Sequence, residues 1–327
     1  MKKIMFKALT GACVLLVATA APAQTAWKPE RNVEIISGTA AGGAVDRANR
    51  AVQRIWQEKK IVDVSATVMN KPGGGNTIAW HYLNQHAGDG HYVSIAPYTL
   101  LTNKLVGTSQ MTWSDFTMIS LLFNEYMTVA VRADSPIKTG ADLVERLKKD
   151  PSSLSVAVAS TLGNHIHIGI AKAMKAAGVD IRKMKVIAFK SSGESVTNLL
   201  GGHIDVVSST TPNVIAQLQA GKIRVIAISS AQRMAGALAA VPTWKEQGID
   251  GTFSASQGAI GPKGLNAAQV AYWESAFQKL SQSEEWQKEL AASYWDGNYL
   301  PAKETAKYYE SQAAELRTIL TDIGLIK

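Results

Sequence analysis

The sequence carries one cysteine in 327 residues, Cys13, inside an N-terminal stretch that reads as removable. Lys2, Lys3 and Lys7 precede an apolar run from Ala8 to Ala18, and Ala21-Pro22-Ala23 follows with the small residues of a cleavage site. That order predicts a signal peptide over residues 1–23, a mature chain starting near Gln24, and export to the periplasm. Once Cys13 is removed no thiol remains, which excludes disulfides, thiolate nucleophiles and Cys-based metal sites together. Cys13 stands at the start of the apolar run, ahead of most of it, which argues against a lipid-attachment cysteine. The run is shorter than the roughly 20 residues that a membrane-spanning helix needs, and no comparable run follows, so the mature chain is expected to be soluble.

Other absences narrow the function. No block of basic residues interleaved with aromatics occurs, so the formal charge of +8, lowered by the three departing lysines to +5, reads as a solvated surface and not as a nucleic-acid footprint. There is no Gly-x-Ser-x-Gly elbow and no His-Glu-x-x-His, and hence no ready nucleophile or metal for an enzyme, and no cofactor is expected. Fixed-period repeats, heptads and low-complexity linkers are also missing.

What is present is strand–helix alternation. Val33 to Ser37 reads as a buried strand, a Gly-rich turn (Gly38-Thr39-Ala40-Ala41-Gly42-Gly43) follows, and Val45, Ala48, Val52 and Ile55 then share one helix face. Ala66 to Met69 and Tyr92 to Ala96 read as further strands around a helix at Ile78 to Leu83. After Ser135-Pro136 the pattern restarts, with strands at Leu154 to Ala159, Val186 to Phe189, Val206 to Ser208 and Val225 to Ile228. The last 60 residues read as helical and are expected to pack back on the first lobe. The class is α/β with a mainly parallel sheet, in two lobes, because single cores usually stop growing near 250 to 300 residues. The lobes are placed at residues 24–126 plus 253–327 and at 127–252.

Several landmarks carry a resemblance. They are Ala41-Gly42-Gly43 with Asp46 and Arg50; Asn70-Lys71-Pro72-Gly73-Gly74-Gly75; Asp89-Gly90; Gly201-Gly202-His203-Ile204-Asp205; Gly221-Lys222-Ile223-Arg224 with Ala227; Arg233; and Val241-Pro242-Thr243 with Glu246 and Gly248. In this order and spacing the chain resembles the periplasmic substrate-binding receptors of tripartite tricarboxylate transporters, the Bug-type receptors, over nearly its whole mature length. The resemblance implies a type II periplasmic-binding-protein fold with the ligand in a cleft between lobes, and delivery to a membrane permease. The chain departs from the family pattern at Ser37-Gly38, where Pro and an aromatic are usual, at Phe189-Lys190-Ser191, at Thr161-Leu162-Gly163-Asn164, and near Ser254 to Gly258, where a Trp is missing. These departures bear on the ligand more than on the fold, and Ser37-Gly38 implies a less bulky, more polar wall.

The residue types suit an anion. The first amides of a helix lack intrahelical acceptors and carry about half a positive charge, so Thr39, Ala40, Ala41, Gly42 and Gly43, with Asp46 behind them, form either an anion site or a tight strand-to-helix turn. Ser160, Thr161, Gly163 and Asn164 precede a second helix, and Ser191, Ser192 and Gly193 a third, where hydroxyls cap the helix, hold a carboxylate, or do both. Ser208 to Thr211 forms a fourth polar turn. Asp46, Lys190 and Asp205 are read as orienting loops or contacting polar ligand groups. His165 and His167 would lie about 200° apart in a helix, which favours capping or core hydrogen bonding over a metal. Trp56, Trp80, Trp273 and Trp286 read as packing residues. The leading reading is a monomeric binding protein for a small carboxylate, working with a permease. A ligand-sensing partner of a membrane signalling protein and a periplasmic hydrolase are the alternatives.

Overall fold

The computed structural model describes residues 27–42, 44–159 and 161–326; the expected leader, Gly43 and Ser160 lie outside them. The strands are β1 (Val33–Ser37), β2 (Ala66–Asn70), β3 (Tyr92–Ala96), β4 (Thr117–Arg132), β5 (Ser155–Ala159), β6 (Lys185–Phe189), β7 (Val206–Thr210), β8 (Ile223–Ile228), β9 (Ser254–Gly261) and β10 (Asp296–Pro301). The helices are α1 (Ala44–Glu58), α2 (Thr77–Asn84), α3 (Thr99–Thr102), α4 (Gly140–Lys149), α5 (His165–Ala176), α6 (Ser192–Leu200), α7 (Ile215–Gln219), α8 (Ala267–Gln282), α9 (Glu284–Ser293) and α10 (Ala302–Asp322).

The strands run in the order β2-β1-β3-β9-β4-β7-β5-β6, with β10 and β8 also pairing to β4. Pairing is parallel among β2, β1 and β3, and again among β6, β5 and β7, as strand–helix alternation requires, but the expected mainly parallel sheet is not found, because β4 and β9 make only antiparallel pairings. The long strand β4 joins the two halves. Its Thr117–Tyr126 portion pairs antiparallel with β9, and its Met127–Arg132 portion pairs with β7 and β8. Glu125 therefore sits next to the point where the chain leaves one half-sheet and enters the other.

The sequence pattern did not reveal β4, and the burial explains why. Nearly every side chain from Met118 to Val131 is buried whichever face it points to, so the period-2 alternation of a half-exposed strand is erased.

The α1 face is Val45, Ala48, Val52 and Ile55, all at 5 % exposure or less, as their spacing predicts, and Trp56 joins it. Trp56 stacks on Trp273 of α8 with ring centroids 5.2 Å apart, and the Trp273 Nε1–H donates to the Gly90 carbonyl at 2.8 Å. Thus α8 and α9 close over the first half, in the same apolar cluster as β1 and β3.

The expectation of an all-helical tail packed on one lobe needs correction at two points. Strand β10 interrupts it at Asp296–Pro301, and α10 packs on both halves. Tyr309, Leu316, Ile319 and Leu320 of α10 share a cluster with Leu100 and Leu101 of α3 and with Ile166, Ile168 and Ala171 of α5. Lys172 pairs with Glu315 at 3.0 Å, and the Arg182 guanidinium donates to the Thr321 and Asp322 carbonyls, both at 3.1 Å, filling acceptors that the end of α10 leaves open.

Candidate functional site

A cavity of about 710 Å³ lies between the two half-sheets, bounded by the β1–α1 loop, the loop before α2, the N-termini of α5 and α6, and the crossover region of β4. Each wall has a local reason for its shape.

The β1–α1 loop is held from behind. The Asp46 side chain is fully buried and accepts from the Gly42 N–H at 2.8 Å, the Arg50 Nε–H at 2.8 Å and the Asn70 Nδ2–H at 2.6 Å. Asn70 Nδ2 also donates to the Thr39 carbonyl, and the Asp46 N–H donates to Thr39 Oγ1. Burial alone would raise the Asp46 pKa, but the hydrogen bonds from Arg50, Asn70 and Gly42 outweigh it and hold the carboxyl below its usual range. Asp46 does not line the cavity; it fixes the loop that does. The Gly42 N–H is engaged by Asp46, so it is not an open anion donor, and Gly42 is needed for its backbone, at φ 80°.

The wall beside Gly38 is made polar by Asn76 and is not vacant. A Cβ at Gly38 would fall 2.2 Å from Asn76 Oδ1, so the absence of bulk there is filled from the neighbouring loop. Asn76 has a left-handed backbone at φ 79° and donates through Nδ2 to Thr99 Oγ1 at 3.0 Å, which leaves its Oδ1 without a partner.

On the other side, α5 and α6 present their N-termini. Asn164 caps α5, accepting from the His167 N–H at 3.1 Å while its Nδ2 donates to the Ala159 carbonyl. Ser191 caps α6, accepting from the Glu194 N–H at 3.2 Å. The first amides after those caps, at His165 and Ile166 and at Ser192 and Gly193, have no intrahelical acceptor, and all four residues line the cavity. Thr161 lines it too, as do the basic residues Arg47 and Lys190.

Besides Asp46, two more of the expected site residues do not line the cavity. Asp205 sits at the other end of the second half-sheet, where Oδ2 accepts from the Ser155 N–H and Oγ, both at 2.7 Å, and its role is to bind that strand end. Gly163 does not line the cavity; it packs near Val106 and Leu320 with φ 81°, and its N–H donates to His167 Nδ1 at 3.0 Å. That bond engages His167, and among the described residues no cluster of three potential metal ligands occurs.

The floor holds what the sequence did not suggest. Glu125, at 1 % exposure, lines the cavity, with Oε2 accepting from Gln257 Nε2 at 3.2 Å and lying 3.7 Å from His165 Nε2. Burial pushes its pKa up to about 7, against the opposing pull of Thr210, Trp295, Arg47 and Gln257. Thr210 and Trp295 face the carboxyl without forming a hydrogen bond of good geometry, and Oε1 has no partner. Burial lowers His165 to about 4, so the imidazole is neutral near pH 7. The one available clue was a lone acidic residue inside an apolar run, Leu121 to Val131.

Residues 50–325 match the tripartite tricarboxylate transporter family receptor. The chain is 27 % identical over 315 residues to a UPF0065 protein in the gbd 5′ region of Cupriavidus necator, covering 95 % of this chain and 93 % of that one. The crystal structure of a TctC solute-binding protein from Polaromonas, solved without ligand, superposes with a TM-score of 0.71 at 25 % identity, over 90 % of this chain and 99 % of its own. A protein of R. palustris solved with adipate superposes with a TM-score of 0.79 at 22 % identity, over 90 % and 98 % of the two chains.

Proposed function

The chain belongs to the tripartite tricarboxylate transporter receptor family, and from that premise we propose that it is a periplasmic receptor that closes its two lobes on a small carboxylate and delivers it to the transporter's membrane permease. The observation that carries this reading is the convergence of two capped helix N-termini, α5 and α6, with Arg47 and Lys190 on one cavity. Free amides at helix ends and nearby cations favour an anion before any specific contact is made. Thr39, Ala40, Ala41, Thr161, Ser191, Ser192 and Gly193 are the ligand-facing residues on this reading, while Gly42, Asp46 and Asn164 hold the loops in place. The Ser191 Oγ accepts the Glu194 N–H and so caps α6, a structural role that supports a binding protein over a hydrolase at this position. The adipate held by the R. palustris protein of this fold is in keeping with a carboxylate ligand.

The lobes are taken as residues 24–126 plus 253–327 and 127–252, moving about the crossover in β4, in a monomer released by cleavage after residue 23. A carboxylate touching both lobes must shift the population toward the closed form. Melting and solution scattering of the mature protein over a carboxylate panel test this. At about 100 times Kd, binding to the folded state alone adds roughly 2.7 kcal/mol, so the Tm rises by several degrees, and the radius of gyration falls with it. A carboxylate that raises Tm without compaction contradicts the two-lobe clamp.

A further inference from the structure

Three buried side-chain atoms without partners belong to residues lining the cleft: Asn76 Oδ1, Glu125 Oε1 and His165 Nδ1. Orphaned buried polar atoms are rare, and a cluster of them at one cavity points to groups that a bound molecule completes. Two of the three are oxygens. The Asn76 amide is oriented by its donation to Thr99 Oγ1, so its Oδ1 can only accept. Glu125 is 1 % exposed and forms no ion pair with Lys or Arg among the described residues. The cleft thus has donors at the α5 and α6 ends and, on its floor and first-lobe wall, two acceptor oxygens without hydrogen-bond partners, with Arg47 the cation that faces Glu125.

We propose that the ligand is an amino-carboxylate, with its carboxylate at the helix N-termini and a cationic nitrogen donating to Glu125 Oε1, Asn76 Oδ1 being a second acceptor in the same cleft. The inference rests on the carboxylate reading above and narrows it: a second carboxylate on the floor would meet acceptor oxygens, whereas an ammonium satisfies them.

The protonation state of Glu125 gives the proposal a signature. The groups facing it are Arg47 of α1, His165 of α5, Gln257 of β9, Thr210 of β7 and Trp295 just before β10. Of these only Arg47 and His165 ionise, and His165, lowered to about 4, stays neutral at pH 7. Glu125, pushed up to about 7 by burial, holds its proton far more readily there than an ordinary carboxyl. A cationic nitrogen binding beside it favours the ionised carboxyl and so releases protons; a second carboxylate would instead favour the protonated form and cause uptake.

Titration calorimetry of the mature protein at pH 7, in two buffers of different ionisation enthalpy, reads that sign directly. The probes are matched pairs: succinate and aspartate, glutarate and glutamate, adipate and 2-aminoadipate. In the best-binding pair the amino member should bind about tenfold or more tightly and release protons. In Glu125→Gln, both the preference and the release should be lost. Equal or tighter binding of the plain diacid, or proton uptake, overturns the inference and leaves the carboxylate reading intact. An amine preference that survives in Glu125→Gln overturns the role of Glu125. If no member binds, the carboxylate reading fails and this inference falls with it. The sign of proton exchange is measured on the wild type, so it does not depend on the variant folding.

Discussion

Replacing Asp46 with Ala should loosen the β1–α1 loop and destabilise the protein by an amount that depends on pH. The carboxylate accepts three hydrogen bonds, from Gly42, Arg50 and Asn70. At about 1.5 kcal/mol for each bond to a charged group, the low end of the usual range, the three bonds sum to roughly 4–5 kcal/mol. The Arg50 side chain is 50 % exposed and Gly42 is exposed, so both recover water when the carboxylate is gone, and about 2–3 kcal/mol should remain. The Asp46 pKa is depressed in the fold, so its contribution is complete above the ordinary value of 3.8 and is lost as pH falls through the lower folded value. Urea denaturation of wild type and Asp46→Ala at pH 7 and at pH 3 measures both effects. The gap in unfolding free energy should be clear at pH 7 and smaller at pH 3. Ligand affinity should fall as well, because Thr39 and the Ala40 and Ala41 backbone lose their support. A gap below about 0.5 kcal/mol at pH 7, or one that does not shrink at pH 3, would refute the account of Asp46 as the charged anchor of this loop.

Two further substitutions test the surrounding packing. Gly38→Ala puts a Cβ against Asn76 and should cost about 1–3 kcal/mol, while Asn76→Ala in the same chain should recover much of that loss, a non-additivity that a double-mutant cycle by urea melts will show. Trp273→Ala removes the stack on Trp56 and the bond to the Gly90 carbonyl, and should cost about 3–5 kcal/mol; a cost under about 1 kcal/mol in the same melts would mean that α8 does not close the first half as described.

The parts legible in the sequence were those written in near-neighbour spacing. Val45, Ala48, Val52 and Ile55 fall on one turn-repeated face whatever they pack against, and the strand–turn–helix order around Asn164 and Ser191 places those residues at helix starts because short polar side chains cap there. The α/β class and the family resemblance followed from such signals. Other features had no local signal. Strand β4 was hidden because both of its faces are buried, so no alternation survives in the sequence. Asp205 sits at a helix-end motif that resembles a site, yet its partner is Ser155, 50 residues away, at the wrong end of the strand.

The cleft floor shows the division most clearly. The sequence by itself determined that helices would start after the polar turns near residues 40, 164 and 192, because capping and glycine conformations are settled within a few residues. Only the tertiary structure decided that β4 passes from one half-sheet to the other beside Glu125, and that Arg47, His165, Gln257 and Trp295 gather around that carboxyl. Those partners come from α1, α5, β9 and the segment before β10, brought together by long-range strand pairing and by burial. Whether a carboxyl keeps its proton near neutral pH depends on the water it has lost and the charges that surround it, and neither is encoded in the residues next to it in the chain.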